Sequence, residues 1–190
     1  MRIISGSLRG TKLYTLDGLN TRPTLDRVKE SLFNIINNKL ENAIVLDLFA
    51  GSGALSLESL SRGAKTAYIC DYSKDAMNII KKNIDKTRMI QKTNIYNYTY
   101  EKTLLKLKEE KIKFDIIFLD PPYESKYSED ATKKIIEYNL LNEEGIIIIE
   151  TDNKDKIIQS IDNLLIEIYD IRKYGRVSLL FLKRKGFLGN

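Results

Sequence analysis

The chain contains no histidine and no tryptophan, and only one cysteine and three prolines in 190 residues. Without imidazole there is no Ser-His-Asp or Cys-His relay, no histidine general base and no histidine-ligated metal. Cys70 has no partner for an internal disulfide, and inside the apolar run "TAYIC" it reads as a core residue rather than a nucleophile. No apolar stretch approaches the roughly 20 residues that span a bilayer, and the opening "MRIISGSLRG" lacks an apolar signal core. A cytoplasmic protein with one main core and no membrane association is expected. Acidic residues are scarce at the two ends: residues 1 to 40 hold seven Lys/Arg against three Asp/Glu, and residues 172 to 190 hold six against none. The remainder is mildly acidic. Charge alone leaves two readings open, termini that grip a polyanion or ordinary solvated lysines.

What the chain does have is alternation of strand and helix. "AIVLDLF" (43–49), "TAYICD" (66–71), "MIQKTNIY" (89–96), "FDIIFLD" (114–120) and "GIIIIET" (145–151) read as strands, several of them the continuous apolar runs of a parallel sheet covered on both faces. Amphipathic segments lie between them, with Ser73, Ser128 and Asp152 as candidate helix caps. Near the end, "LLIEIYDI" and "VSLLFLKR" flank "RKYGR", a hairpin with Gly175 in its turn. The expectation is an α/β, doubly wound, Rossmann-like sheet of seven strands, mostly parallel with an antiparallel last strand. A small β-ribbon over residues 1–20, with Arg2, Arg9 and Lys12 projecting, precedes a main domain over residues 21–190.

Two stretches carry chemistry. In "DLFAGSGALSLESL" a strand meets a glycine turn and a helix, which brings exposed N–H groups and close backbone to the carboxyl edge, where open α/β sheets bind ligands. Gly51 and Gly53 permit the approach, Asp71 at the end of the second strand suits ribose hydroxyls, and Asp47 suits an ammonium group. Ser56 stands where a dinucleotide fingerprint has its third glycine, which weakens a nicotinamide reading. A plain strand–helix turn is the bland alternative. In "DIIFLDPPY", Pro121 and Pro122 end the fourth strand and stiffen its turn, which frees the Asp120 carboxylate and the Pro121 carbonyl to hold the two hydrogens of one amine. Tyr123 then suits stacking on a nucleobase. An activated methyl on a sulfonium needs no histidine for such an in-line attack.

"DLFAGSGALSLESLSRGA" with "FLDPPY" resembles the class I S-adenosylmethionine-dependent methyltransferases, and "TRPTLDRVKESLFNII" with "RIISGSLRGTKL" resembles the RsmD family, from Arg2 to about Lys185. The resemblance implies methylation of the N2 amine of a guanine in 16S ribosomal RNA, naked or in a small-subunit assembly intermediate, by a monomer. It implies Asp120, Pro121, Pro122 and Tyr123 as catalytic residues, and Asp47, Phe49, Gly51, Gly53, Asp71, Asn94, Thr24 and Arg27 around S-adenosyl-L-methionine, with no metal. Asn94, where many relatives place an Asp, is then expected to address the adenine. Thr24 also reads as a helix cap. RNA phosphates are expected at Arg2, Arg9, Lys12, Arg22, Lys173 and Arg176, with the 183–185 cluster on the far edge. Adenine-N6 methylation of DNA or another RNA is the alternative, because D-P-P-Y is shared with such enzymes.

Overall fold

The continuous apolar runs become the middle of a sheet. A computed structural model describes residues 1–16, 23–122 and 126–186, with the backbone alone for residues 23–25. Seven strands, β1 (Ile44–Asp47), β2 (Thr66–Cys70), β3 (Thr93–Tyr96), β4 (Phe114–Leu119), β5 (Leu141–Thr151), β6 (Ile166–Tyr174) and β7 (Val177–Arg184), lie in the order β3-β2-β1-β4-β5-β7-β6. The first five are parallel neighbours, and β7 runs antiparallel between β5 and β6. β6 is consequently parallel to β1, and the doubly wound sheet with one reversed strand is present as the sequence implies.

Alternation along the strands divides the core into two layers. Val45, Ile69, Ile116, Phe118, Ile148 and Phe181 face α1 (Pro23–Ile35), α2 (Ala54–Ser61) and α3 (Lys74–Thr87). Leu46, Ile117, Leu119, Ile147, Ile149 and Leu180 face α4 (Tyr100–Glu109), α5 (Tyr127–Glu137) and α6 (Lys154–Ile161). Ser73 caps α3 as expected, its side chain accepting from the Ala76 N–H at 3.3 Å. The other caps differ. Asn153, not Asp152, caps α6, and α5 starts at Tyr127 with no side-chain cap. Pro23 opens α1, a position where its missing N–H is no loss, so Thr24 falls inside the first turn rather than before it. β5 begins four residues earlier than the sequence suggests, because "NEEG" is absorbed by a register shift between Phe114 and Ile116 on β4. Gly145 is required there: a Cβ would lie 2.8 Å from the Phe114 carbonyl oxygen.

The N-terminal segment forms a narrow antiparallel ribbon, with one bridge between Arg2 and Lys12 and further bonds from Leu13 N–H to Met1 O and from Gly10 N–H to Ile3 O. Ile3 and Leu13 belong to the α1–α3 layer. The ribbon is tied to α2 by a buried acid. Glu58 is fully buried, accepts from the Ile4 N–H at 2.8 Å, the Ser5 N–H at 3.1 Å and Arg62 Nε at 2.8 Å, and lies 3.5 Å from Lys29 Nζ on α1. Lys29 in turn donates to the Arg2 carbonyl at 2.6 Å, and its burial lowers its pKa against the raising effect of Glu58. No helix among the described residues is long and apolar enough to cross a membrane.

Candidate active site

Strands β1, β4 and β5 end together, and their carboxyl ends open into a cavity of about 1210 Å³. One side is made by the turn after β1 (Phe49, Gly51, Ser52), by Asp71, Tyr72 and Ser73 after β2, and by Tyr98 to Glu101 after β3. The other is made by Asp120, Pro121 and Pro122 after β4, by Glu150 on β5, and by Tyr174 to Val177 of the β6–β7 hairpin. The α1 residues Asp26 and Lys29 and the ribbon residues Met1, Thr15 and Leu16 complete the wall.

The glycine turn is built differently from a bare anion nest. The Gly51 N–H donates to Asp71 Oδ2 at 2.9 Å and the Gly53 N–H to the Ala50 carbonyl at 2.8 Å. Gly51 has φ +56 and a Cβ there would enter open space, so the turn offers a ligand close backbone rather than free amides. Gly53 caps α2 in the left-handed region at φ 75 and is not on the cavity wall. Asp71 Oδ1 also accepts from the Ser73 N–H at 2.9 Å. Each oxygen keeps a second lone pair, so the fixed carboxylate remains able to accept two vicinal hydroxyls. Phe49 stacks on Tyr127 with ring centroids 6.0 Å apart and planes within 5°, and Tyr100 tilts against both. A carboxylate acceptor, an open glycine and an aromatic wall fit a nucleoside cofactor.

Asp47 lies beneath this floor. It is 1% exposed, accepts from Ser56 Oγ at 2.9 Å, and burial pushes its pKa up to about 7, with Asp71 adding to the rise against the Ser56 hydrogen bonds. Asp47 is not among the residues that line the cavity. A carboxyl held at about 7 when folded, against an ordinary 3.8, favours the folded state fully below 3.8 and loses that contribution as pH rises through 7. Asp47→Asn is expected to raise the thermal midpoint at pH 8 by roughly 2–4 °C and to leave it near wild type at pH 4, as scanning calorimetry would record. Equal shifts at both pH values would contradict a protonated Asp47.

Asp120 is exposed to the cavity; desolvation by the surrounding protein first, then the charges of Glu150 and Asp47, raise its pKa well above the usual carboxylate range. Pro121 is buried beside it and β4 stops at Leu119. Tyr123 and Arg22 lie outside the described residues, as does the side chain of Thr24.

Besides Asp47 and Gly53, two more expected cofactor residues lie off the cavity wall. Arg27 is exposed beside Glu30, Ser31 and Asn34, one stripe of α1, whereas Asp26 and Lys29 turn toward the cavity; the helical period puts Arg27 on the outer side. Asn94 is the second residue of β3, paired with Tyr68 and donating to Thr66 Oγ1 at 3.2 Å, so it stands short of the carboxyl edge. Tyr98 and Thr99, just past that strand, hold the position expected of Asn94. The sequence reading does not single out these residues or Glu150, although the rule that ligands gather beyond strand ends points to them. Asn97 fixes the local turn by donating to the Asp71 and Tyr72 carbonyls at 2.8 and 3.3 Å.

A family model described as conserved hypothetical protein 95 matches residues 1–183. The Bacillus subtilis protein YlbH is 34% identical over 186 residues, covering 98% of this chain and 100% of the relative. The ribosomal RNA small subunit methyltransferase D of Haemophilus influenzae is 37% identical over 164 residues, covering 86% and 84%. The solved structure of the Escherichia coli protein yhhF superposes with a TM-score of 0.83 at 28% identity, covering 98% of both chains.

Proposed function

The chain belongs to the RsmD family, described as conserved hypothetical protein 95, and on that footing we propose that it methylates the exocyclic N2 amine of a guanine in 16S ribosomal RNA. The observation that carries this is the presence of Asp120 and Pro121 on one wall of the cavity whose other wall holds Asp71 and the glycine turn. The name of the Haemophilus influenzae relative supports ribosomal RNA as the substrate class.

S-adenosylmethionine, when bound, supplies an electrophilic methyl carbon. Asp71 holds the ribose hydroxyls, and Phe49 with its aromatic neighbours keeps water from the reacting centre. Asp120 and the Pro121 carbonyl accept the two amine hydrogens, which turns the nitrogen lone pair away from them and toward the methyl carbon. The amine held in this way would take the methyl group that the bound sulfonium would supply, the carbon–sulfur bonding pair remaining with sulfur. The nitrogen must then shed a proton, and Asp120, whose surroundings raise its proton affinity, stands next to it. The test is methylation of small-subunit RNA by the purified protein, with the product mapped by mass spectrometry. A methyl group found on any atom other than guanine N2 would refute the reading.

RNA is taken up by the ribbon and the hairpin. Arg2, Arg9, Lys12, Lys173 and Arg176 are exposed, and both elements border the cavity. At the opposite edge Lys183 lies 3.4 Å from Glu167, and Arg184 is occupied by the Leu141 carbonyl at 2.8 Å and Asn139 Oδ1 at 2.7 Å. Arg9→Ala and Arg176→Ala should each weaken RNA binding and flatten its salt dependence by a slope of about 0.7–0.9. A Lys183→Ala, Lys185→Ala double variant should change it little. Filter binding across a salt series decides, and a larger loss in the double variant would move the RNA face to the other edge.

A further inference from the structure

β4 and β5 run parallel and in register from Ile116 and Ile146 to Leu119 and Ile149. The next residues, Asp120 and Glu150, therefore stand side by side at the carboxyl edge. Strand alternation turns both to the face of Phe118 and Ile148, and all four line the cavity. Placing a second carboxylate beside the first is unfavourable, since like charges repel, and Glu150 is the foremost charge acting on Asp120. Holding an amine needs only one of them.

We infer that Glu150 selects the base: its carboxylate accepts the ring N1–H of guanine, next to the 2-amine held by Asp120 and Pro121. The inference rests on the reading of the protein as a guanine N2-methyltransferase. Guanine, adenine and cytosine all carry an exocyclic amine, so the Asp-Pro-Pro turn cannot distinguish them. They differ at the neighbouring ring nitrogen. Guanine N1 carries a hydrogen, whereas adenine N1 and cytosine N3 carry a lone pair that would face the Glu150 carboxylate and repel it. A second acid at this position thus rewards guanine and rejects the other two bases.

The probe is 2-aminopurine placed in an RNA fragment at the target position, because it has the same 2-amine but a lone pair at N1. Wild type should prefer guanine. Glu150→Gln, whose amide can turn either its oxygen or its N–H to the ring, should narrow the ratio of kcat/KM for guanine over 2-aminopurine by roughly tenfold to a hundredfold, with cofactor affinity unchanged. Glu150→Asp keeps the carboxylate and should keep the preference, which leaves the inference testable should the Gln variant fold poorly. Wild type active on guanine with an unchanged ratio in the Gln variant, or an Asp variant that loses the preference, overturns the role of Glu150. Wild type that methylates adenine and not guanine overturns the reading on which it rests.

Discussion

Asp120→Ala is expected to lower the methyl-transfer rate by about a hundredfold to a thousandfold, the loss typical when a positioned polar group at the reacting centre is removed. Cofactor affinity should stay near wild type. The carboxylate stands on the β4 side of the cavity, across from Asp71, so its removal should affect the amine and leave the proposed ribose site intact. Loss in kcat without loss of cofactor binding is the mark of a group that acts in the transition state. Asp120→Asn keeps an acceptor oxygen and should lose less, although it cannot take the proton that the amine sheds. Single-turnover transfer of labelled methyl, set beside calorimetry of cofactor binding, separates the two steps. Parallel losses in rate and affinity would relocate Asp120 to the cofactor.

Glu58→Ala is expected to destabilise the protein by about 3–5 kcal/mol, because it leaves buried cations without their acid. Lys29 is 6% exposed, and Arg62 is held by the Glu58 oxygen that also receives the Ser5 N–H. Two backbone donors of the ribbon, Ile4 and Ser5, lose their acceptor in the same change. Glu58→Gln keeps one accepting oxygen and should cost less. Urea unfolding gives the magnitude, and amide exchange at Ile4 and Ser5 reports whether the ribbon has come loose. A cost under about 1 kcal/mol would place this network among ion pairs of surface strength. Activity should fall as well, since Met1, Thr15 and Leu16 wall the cavity.

These two residues differ in how readily the sequence discloses them. Asp120 follows an apolar strand and precedes two prolines, so its place at a sheet edge follows from local rules. The same rules locate Asp71 and the glycine turn. Glu58 sits on a short helix among serines and leucines and looks like a solvated surface acid; its partners lie more than 50 positions away at Ile4 and Ser5, a separation that no local pattern encodes. Arg27 was misplaced for a related reason. A helix is read correctly from its period, but which stripe meets the cavity depends on the sheet beneath it. Asn94 is expected at the cofactor from the resemblance alone; sequence and structure agree that its strand ends at Tyr96, which leaves it two residues short of the edge. Glu150 was visible as the end of a strand, but its pairing with Asp120 needed the register of β4 and β5.

The reversed β7 also fixes an order of assembly. Among the described strands β6 pairs only with β7, and β7 is the one that reaches β5. During synthesis, residues 166–174 thus emerge with no ladder to join, and they stay unpaired until 177–184 have been made and slotted into the gap. The wall assigned to the cofactor draws on residues up to Tyr127, which stacks on Phe49, while the hairpin wall beside Asp120 is closed only when β7 is in place. Chain order therefore puts the residues proposed for the cofactor ahead of the hairpin that walls the Asp120 side.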